Sequence, residues 1–347
     1  MADYVGRHLG AADRELATEP ASEEPGTPRP PRIGVPVIAL AVLLLQAAFI
    51  ASYVGGLHAP SPKHIPVAVV GGPDAVAQLS AGLGPSSDIV SLTPASDLAS
   101  ARRAIRDRDA DAAFDPSTGT LVLASGRGPA ADSVLTPLFS KVAGGRLTTH
   151  DVAPLPSADP RGLVTFYLVI GWIVGAYLLA AVLGIVGGMA PSSGGMALRR
   201  TLVFVVYAIG SGIGGAAIVQ YGFGYVTGSF WALSGVGVLL VFAVGIATVG
   251  LEALFGLVGT ALAILAFVVA GNPSAGGPWP ITLLPSPWRE FGPYLPNGAS
   301  LTAVRQALFF DRAAMLAPLG VLAAYAVGGL LLTFAMTRRG RPLVELL

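Results

Sequence analysis

The sequence contains no cysteine among its 347 residues, and only 12% of the residues are charged. Without cysteine there is no disulfide, no thiolate metal site and no thiol nucleophile. Soluble proteins have about a quarter of their residues charged, so half that share, together with 53% hydrophobic residues, is typical of a membrane protein. Nucleic-acid binding needs a clustered basic face, and the net charge of +1 offers no support for one. We therefore expect no nucleic-acid partner.

Groups that carry out chemistry are also scarce. The sequence has no nucleophile-elbow motif, no GxGxxG and no GxxxxGK[ST] phosphate-binding motif. We therefore expect no enzyme activity and no catalytic, cofactor-binding or metal-binding residue in this chain. The four histidines all lie outside the long apolar stretches: His8, His58, His64 and His150.

Two local patterns suggest a ligand, but each has a simpler interpretation. Gly71 and Gly72 follow a strand-like segment, as in phosphate loops, yet without a Walker pattern a plain strand-to-helix turn is favoured. Alternating charges from Arg106 to Asp115 resemble a calcium loop. They lack the glycine and the terminal glutamate of an EF-hand, which favours a solvated helix end.

Long apolar stretches divide the chain. About 20 apolar residues suffice to cross a bilayer as a helix, and the sequence predicts six such helices: about 33–55, 163–187, 202–221, 230–250, 253–271 and 317–336. The first 32 residues are charged and Pro-rich, which predicts a disordered cytoplasmic tail at 1–32. Residues 56–160 form a polar insertion, and 161–347 are the membrane domain.

Clusters of arginine indicate which side of the membrane each loop faces. Cytoplasmic loops are enriched in Lys and Arg, and six spans place three clusters on one side of the bilayer: Arg29 and Arg32; Arg199 and Arg200; Arg338, Arg339 and Arg341. We therefore predict a multi-pass protein of the plasma membrane with both termini cytoplasmic and the lipid bilayer as its partner. The polar insertion then faces outward.

The polar insertion, 56–160, alternates strand-like and helix-like segments, which predicts a small extracytoplasmic α/β domain. A helix over 97–108 is expected to be capped by Ser96 or Asp97. The other helices are predicted at 74–83 and 130–142, and the strands at 65–70, 89–92, 110–114 and 120–124.

The segment 272–312 is apolar but rich in proline, which removes backbone donors and excludes a plain spanning helix. Its tryptophans favour the membrane–water boundary. We expect a re-entrant or interfacial element that caps the membrane domain between the fifth and sixth spans. Arg305 is expected to anchor it through Glu290 or Asp311.

This segment carries a family resemblance. Gly271-Asn272-Pro273, Trp279-Pro280, Leu284-Pro285, Tyr294-Leu295-Pro296 and Arg305 resemble the last third of ABC type-2 exporter permeases, in particular the phage-infection-protein (Pip) type. Arg103 to Pro116 is similar to a stretch of their outward domain, so the resemblance extends from Ile33 onward. It implies an outer gate formed by Gly271, Asn272, Pro273, Pro280, Pro285, Pro293, Pro296 and Arg305.

The resemblance also implies a function: a permease subunit that moves an apolar or amphipathic solute outward. Its partners would be a separate ATPase subunit and a second copy of the chain. Arg199, Arg200 and Glu252 are the candidate cytoplasmic contacts, although Glu252 is also compatible with a solvated turn between the fourth and fifth spans. The chain departs from the family in its short Gly/Ser-rich loop, 188–200.

An alternative function remains open. The chain could instead be a non-transporting envelope protein that presents its α/β domain to a partner, a polymer or a phage. Small residues four positions apart allow helices to approach closely. The pairs Gly171/Gly175, Gly184/Gly188 and Gly210/Gly214 fit either packing within the chain or a dimer interface.

Overall fold

The computed structural model describes residues 35–225 and 229–337. Six of its helices are long and apolar enough to cross a membrane, which confirms the prediction of six such helices. They are Ala39–Leu57, Leu163–Gly187, Gly194–Gly222, Phe230–Phe255, Leu257–Ser274 and Leu316–Met336. The predicted tail at 1–32 and the arginines at 338, 339 and 341 lie outside the described residues. The described residues from 41 onward belong to one compact unit.

The described part of the chain is mostly helical. Its helices are α1 (Val35–Leu57), α2 (Gly72–Leu83), α3 (Leu98–Asp107), α4 (Ala130–Val142), α5 (Leu163–Gly187), α6 (Gly194–Ala217), α7 (Phe230–Phe255), α8 (Leu257–Ile264), α9 (Gly271–Ser274), α10 (Trp288–Phe291), α11 (Pro296–Phe309) and α12 (Leu316–Met336). Its strands are β1 (Ile65–Val70), β2 (Val90–Ala95), β3 (Ala112–Asp115), β4 (Thr120–Leu123) and β5 (Thr148–Asp151).

Two span boundaries differ from the sequence prediction. The third span begins at Gly194 rather than near 202, because Ser193 caps α6 by accepting from the Met196 amide. The turn between the fourth and fifth spans lies at Gly256, whose φ of 62° suits glycine, and not at Glu252. From α8 the fifth span continues through a π-helical stretch, Leu265–Ala270, into α9.

Helix α7 is the centre of the membrane bundle and is buried along most of its length. Glycines let its neighbours approach: the ring of Phe204 lies against Gly245, and that of Trp172 against Gly237. By contrast, the predicted pair Gly210 and Gly214 has no atom of the described residues within 4 Å of an added Cβ. That pair therefore does not serve packing within the described part of the chain.

The polar insertion folds around a five-stranded sheet in the order β2-β1-β3-β4-β5. Strand β1 pairs in parallel with β2 and β3, β3 pairs antiparallel with β4, and β4 pairs in parallel with β5. The sequence did not predict β5, which is short, polar and exposed. Of the two candidate caps for α3, Asp97 is the one used, in a capping box with Ser100.

Different elements cover the two faces of the sheet. Leu135 and Phe139 of α4 pack with α2 against one face. The other face packs against Ile105 of α3 and against Phe310, which directly follows α11. The sheet domain therefore completes its core with Phe310 of the Pro-rich segment, and Gln306 Nε2 donates to the Arg106 carbonyl, 200 residues away in the sequence.

The Pro-rich segment, 272–312, folds into short helical pieces joined by extended turns. Besides α9, α10 and α11 it contains two 3₁₀ turns, Ile281–Leu283 and Gly292–Tyr294. Helix α11 begins with Pro296, a favoured first residue because its missing N–H would be unpaired there in any case. Most α11 residues from Pro296 to Ala307 are buried, so α11 is a central packing element.

Candidate functional site

Arg305 is buried in the middle of α11, with 7% of its surface exposed. Its Nη1 donates to the backbone oxygen of Arg127 at 2.7 Å and to that of Gly276 at 2.8 Å. Its Nη2 donates to the backbone oxygen of Gly277 at 3.3 Å. One guanidinium thus holds together α11, the turn before α4 of the sheet domain and the glycine loop after α9.

No carboxylate among residues 35–225 and 229–337 pairs directly with Arg305, although the sequence suggested Glu290 or Asp311. Both of these acids are exposed, and the partners are carbonyl oxygens instead. Gly276 adopts a φ of 81°, a conformation that glycine reaches without strain, and its carbonyl accepts from Arg305. Burial lowers the pKa of Arg305 to about 10, so the side chain stays protonated at neutral pH.

Arg127 extends this arrangement into the sheet domain, and the sequence did not identify it. Its carbonyl accepts from Arg305, while its own Nη1 donates to Ala110 O and to Asp111 Oδ1, both at 3.0 Å. Its guanidinium carbon lies 5.1 Å from the centre of the Phe310 ring. A single arginine between Gly126 and Gly128 carries no motif, so sequence patterns could not have revealed this role.

Two asparagines form a buried network beneath α11. Asn297 Nδ2 donates to Asn272 Oδ1 at 2.7 Å and to the Phe267 carbonyl at 2.8 Å. Asn272 Nδ2 donates in turn to the Tyr53 hydroxyl of α1 at 2.8 Å. Gly271 lies directly against the Asn297 side chain, with no room for a Cβ. Gly271 and Asn272, predicted from the family motif, therefore join α1, the fifth span and α11.

The two tryptophans of the Pro-rich segment dock on the end of α1. Trp288 Nε1 donates to Ser52 Oγ, and Trp279 Nε1 donates to the Leu57 carbonyl, each at 3.0 Å. Gly55 and Gly56 provide the flat surface on which the Trp288 ring lies, and Pro273 packs against Gly56. The tryptophans therefore have specific protein partners.

The motif prolines occupy different positions around Arg305. Pro280 packs against Gly128 of the sheet domain, and Pro296 begins α11. The Pro285 carbonyl accepts from the Arg289 amide at 3.2 Å. Pro293 is exposed and, with Pro280, lines a cavity of about 190 Å³ beside Arg305. The structure thus brings Pro280, Pro293 and Arg305 together, whereas Pro285 lies in a separate turn.

A second buried arginine lies at the other end of α5. Arg200 is 6% exposed, and its guanidinium donates to the carbonyls of Gly187 at 2.9 Å, Met189 at 3.2 Å and Gly188. It therefore caps the carboxyl end of α5, where helix carbonyls lack intrahelical partners. Its neighbour Arg199 is exposed. Of this predicted pair, only Arg199 is open to a partner.

Glu252 is fully buried inside α7, one turn before Gly256. Its Oε1 accepts from the Thr260 hydroxyl at 2.8 Å, while Oε2 has no hydrogen-bond partner among the described residues and lies near Gly184. The expectation of an exposed turn or partner contact at Glu252 is therefore wrong. The sequence placed the turn four residues too early because the apolar run shows no break before Gly256.

Comparisons of the chain with protein-family models, with curated proteins and with solved structures found no match.

Proposed function

We propose that the chain is the membrane permease subunit of an ABC type-2-like exporter that moves an apolar or amphipathic solute outward. In this proposal the protein lies in the plasma membrane with both termini cytoplasmic and the sheet domain outside. The segment 272–312 is a re-entrant or interfacial outer gate above the spans. Six helices of membrane-spanning length support the membrane assignment.

The observation that carries the proposal is the bonding of Arg305. It joins the sheet domain, the glycine loop after the fifth span and α11 through three carbonyls. Because α11 leads into α12 and the loop follows α9, a displacement of either span would be transmitted to the sheet domain. An outer gate needs such a connection between helices and external domain, whereas a passive anchor does not.

The energy for export would come from a separate ATPase subunit. The 347 residues contain no Walker A motif, and Glu252 is the one acidic residue in the six described spans. Proton-driven transporters generally use several ionisable groups within the membrane. The exposed Arg199, near the start of α6, remains the candidate contact for that subunit.

Homodimer formation is part of the proposal. Six spans suit half of a two-fold exporter, and Gly210 and Gly214 lie on a face of α6 that no other part of the described chain covers. Small residues on an uncovered face allow a second helix to approach closely.

The experiment is an affinity purification of the tagged protein from its native membrane in mild detergent, followed by an ATPase assay. Co-purification of a nucleotide-binding subunit with ATP hydrolysis is the expected result. The variant Arg199→Ala should lose that subunit, whereas Arg161→Ala, which also removes an exposed arginine, should retain it. A pure monomer or dimer without ATPase activity would contradict the exporter proposal.

One observation favours the alternative, a non-transporting envelope protein. A groove of about 460 Å³ on the sheet domain is lined by Lys141, Arg146 and the polar turn at 117–119. Such a groove would suit an acidic polymer or partner presented to this domain. Capture of a cell-wall polymer that depends on Lys141 and Arg146, in a preparation lacking ATPase, would favour this function.

A further inference from the structure

An open groove of about 640 Å³ lies where α3 of the sheet domain meets the end of α11. Its volume is within the range of about 300–1,000 Å³ found for ligand sites. We call it the arginine groove, because Arg102, Arg103 and Arg106 line one side of it. These three arginines are exposed on α3.

The charge of the arginine groove is unbalanced. Asp311 is the one acidic residue among its lining residues. Asp107 lies nearby, with its carboxylate 3.9 Å from Arg106 in a pair whose side chains are both about half exposed. Three arginines against Asp311 and the adjacent Asp107 leave one excess positive charge at the arginine groove. Guanidinium groups bind phosphate oxygens in pairs of parallel hydrogen bonds, which makes a phosphate the favoured ligand group.

The lining of the arginine groove also includes apolar side chains, among them Phe309 and Phe310. Phe310 belongs to the core of the sheet domain. Phe309 packs against a cluster that includes Val219, at the end of the third span, and Val164, at the start of the second. The groove therefore lies close to the ends of these two helices. The sixth span begins at Leu316, five residues after Asp311.

We propose that the arginine groove binds the headgroup of an anionic phospholipid from the surrounding bilayer. The phosphate and a second anionic or hydroxyl group contact Arg102 and Arg103, while the Phe309 ring contacts the glycerol and the first carbons of the acyl chains. Each basic residue near an anionic membrane surface contributes about 1 kcal/mol of attraction. The apolar lining residues close to the span ends favour a phospholipid over a soluble anion. The site does not depend on whether the protein transports a solute.

The experiment is native mass spectrometry of the delipidated full-length protein in detergent with equal amounts of dioleoyl-phosphatidylglycerol and dioleoyl-phosphatidylcholine. The wild type should retain phosphatidylglycerol in preference by about fivefold or more. The double variant Arg102→Gln, Arg103→Gln should lose that preference. The matched control Lys63→Gln, Arg161→Gln removes the same charge from two exposed positions outside the groove and should keep it.

Two results would overturn the proposal. An unchanged phosphatidylglycerol preference in the Arg102→Gln, Arg103→Gln variant would place the lipid elsewhere on the protein. Displacement of phosphatidylglycerol by an equal concentration of soluble glycerol phosphate would show a small-anion site without a role for the acyl chains. Neither result bears on the ATPase assay, so the exporter proposal stands or fails separately.

Discussion

Arg305 and Arg200 are both buried, both are bonded mainly to backbone carbonyls, and they lie towards the two ends of α5. They differ in how far along the chain their partners lie. The partners of Arg200 are 11 to 17 residues away, in the same helical hairpin. Those of Arg305 are 28, 29 and 178 residues away. The same chemistry therefore closes a local turn in one place and joins two domains in the other.

The largest effect is expected from Arg305→Ala. It leaves carbonyls of Arg127, Gly276 and Gly277 without a donor, which should destabilise the protein by about 3 kcal/mol. Thermal unfolding in detergent would measure the loss, and hydrogen exchange should rise both at 125–128 and at 276–277. Arg161→Ala, an exposed arginine, is the control. If hydrogen exchange rises at only one of the two segments, Arg305 does not join them and acts locally, as Arg200 does.

Arg200→Ala should destabilise by about 2 kcal/mol, because the last carbonyls of α5 lose their donor. Hydrogen exchange should rise only around 183–200, with the sheet domain unchanged. Arg199→Ala, its exposed neighbour on α6, should have little effect on stability. Faster hydrogen exchange at 125–128 in the Arg200→Ala variant would show that Arg200 stabilises more than the turn between α5 and α6.

Asn297→Ala tests whether the region of Arg305 depends on one side chain or on a network. The change leaves the Phe267 carbonyl and Asn272 Oδ1 without their donor, and we expect a loss of about 1–2 kcal/mol. The Tyr53–Asn272 contact with α1 should loosen, which a fluorescence shift of the nearby Trp288 would report. If the Asn297→Ala variant unfolds at the wild-type temperature, the asparagine network does not contribute to stability.

A pH dependence confined to the sheet domain is also expected. Burial, and then the neighbouring Asp151, raise the pKa of Asp132 to about 7. The folded state binds this proton more tightly than the unfolded chain, so its stabilising contribution is complete below pH of about 4 and is lost as pH rises to about 7. Asp132→Asn should remove the dependence near 125–128 without altering 183–200. A pH dependence of hydrogen exchange that is equally large at 125–128 and 183–200 would contradict the assignment to Asp132.

The features that could be predicted from the sequence are those that depend on local composition. Apolar length identified all six helices able to span a membrane, and alternation of strand-like and helix-like segments located four of the five strands. Asp97 was one of two proposed caps because a helix cap acts within a few residues. Strand β5 was missed, since Thr148–Asp151 is polar and exposed on the sheet edge and lacks an apolar pattern.

The partners of the buried polar groups could not be predicted. Arg305 stood out as a charge in an apolar segment, but its partners are backbone carbonyls, which every residue possesses. The role of Arg127 could not be predicted. Its backbone carbonyl accepts the hydrogen bond from Arg305, and its side-chain contacts depend on how the chain folds. Glu252 was wrongly predicted to lie in the turn between the fourth and fifth spans. The helix ends instead at Gly256 through a change of backbone conformation, and the apolar run continues across it.

Double electron–electron resonance on the full-length protein in nanodiscs tests the role of Arg305 as a tie between domains. The chain has no cysteine, so Lys141→Cys on the sheet domain and Glu290→Cys on the Pro-rich segment would be the only labelled sites. We predict a narrow distance distribution in the otherwise wild-type protein and in Arg161→Ala, and a broad one in Arg305→Ala. Equally narrow distributions in all three would contradict the account.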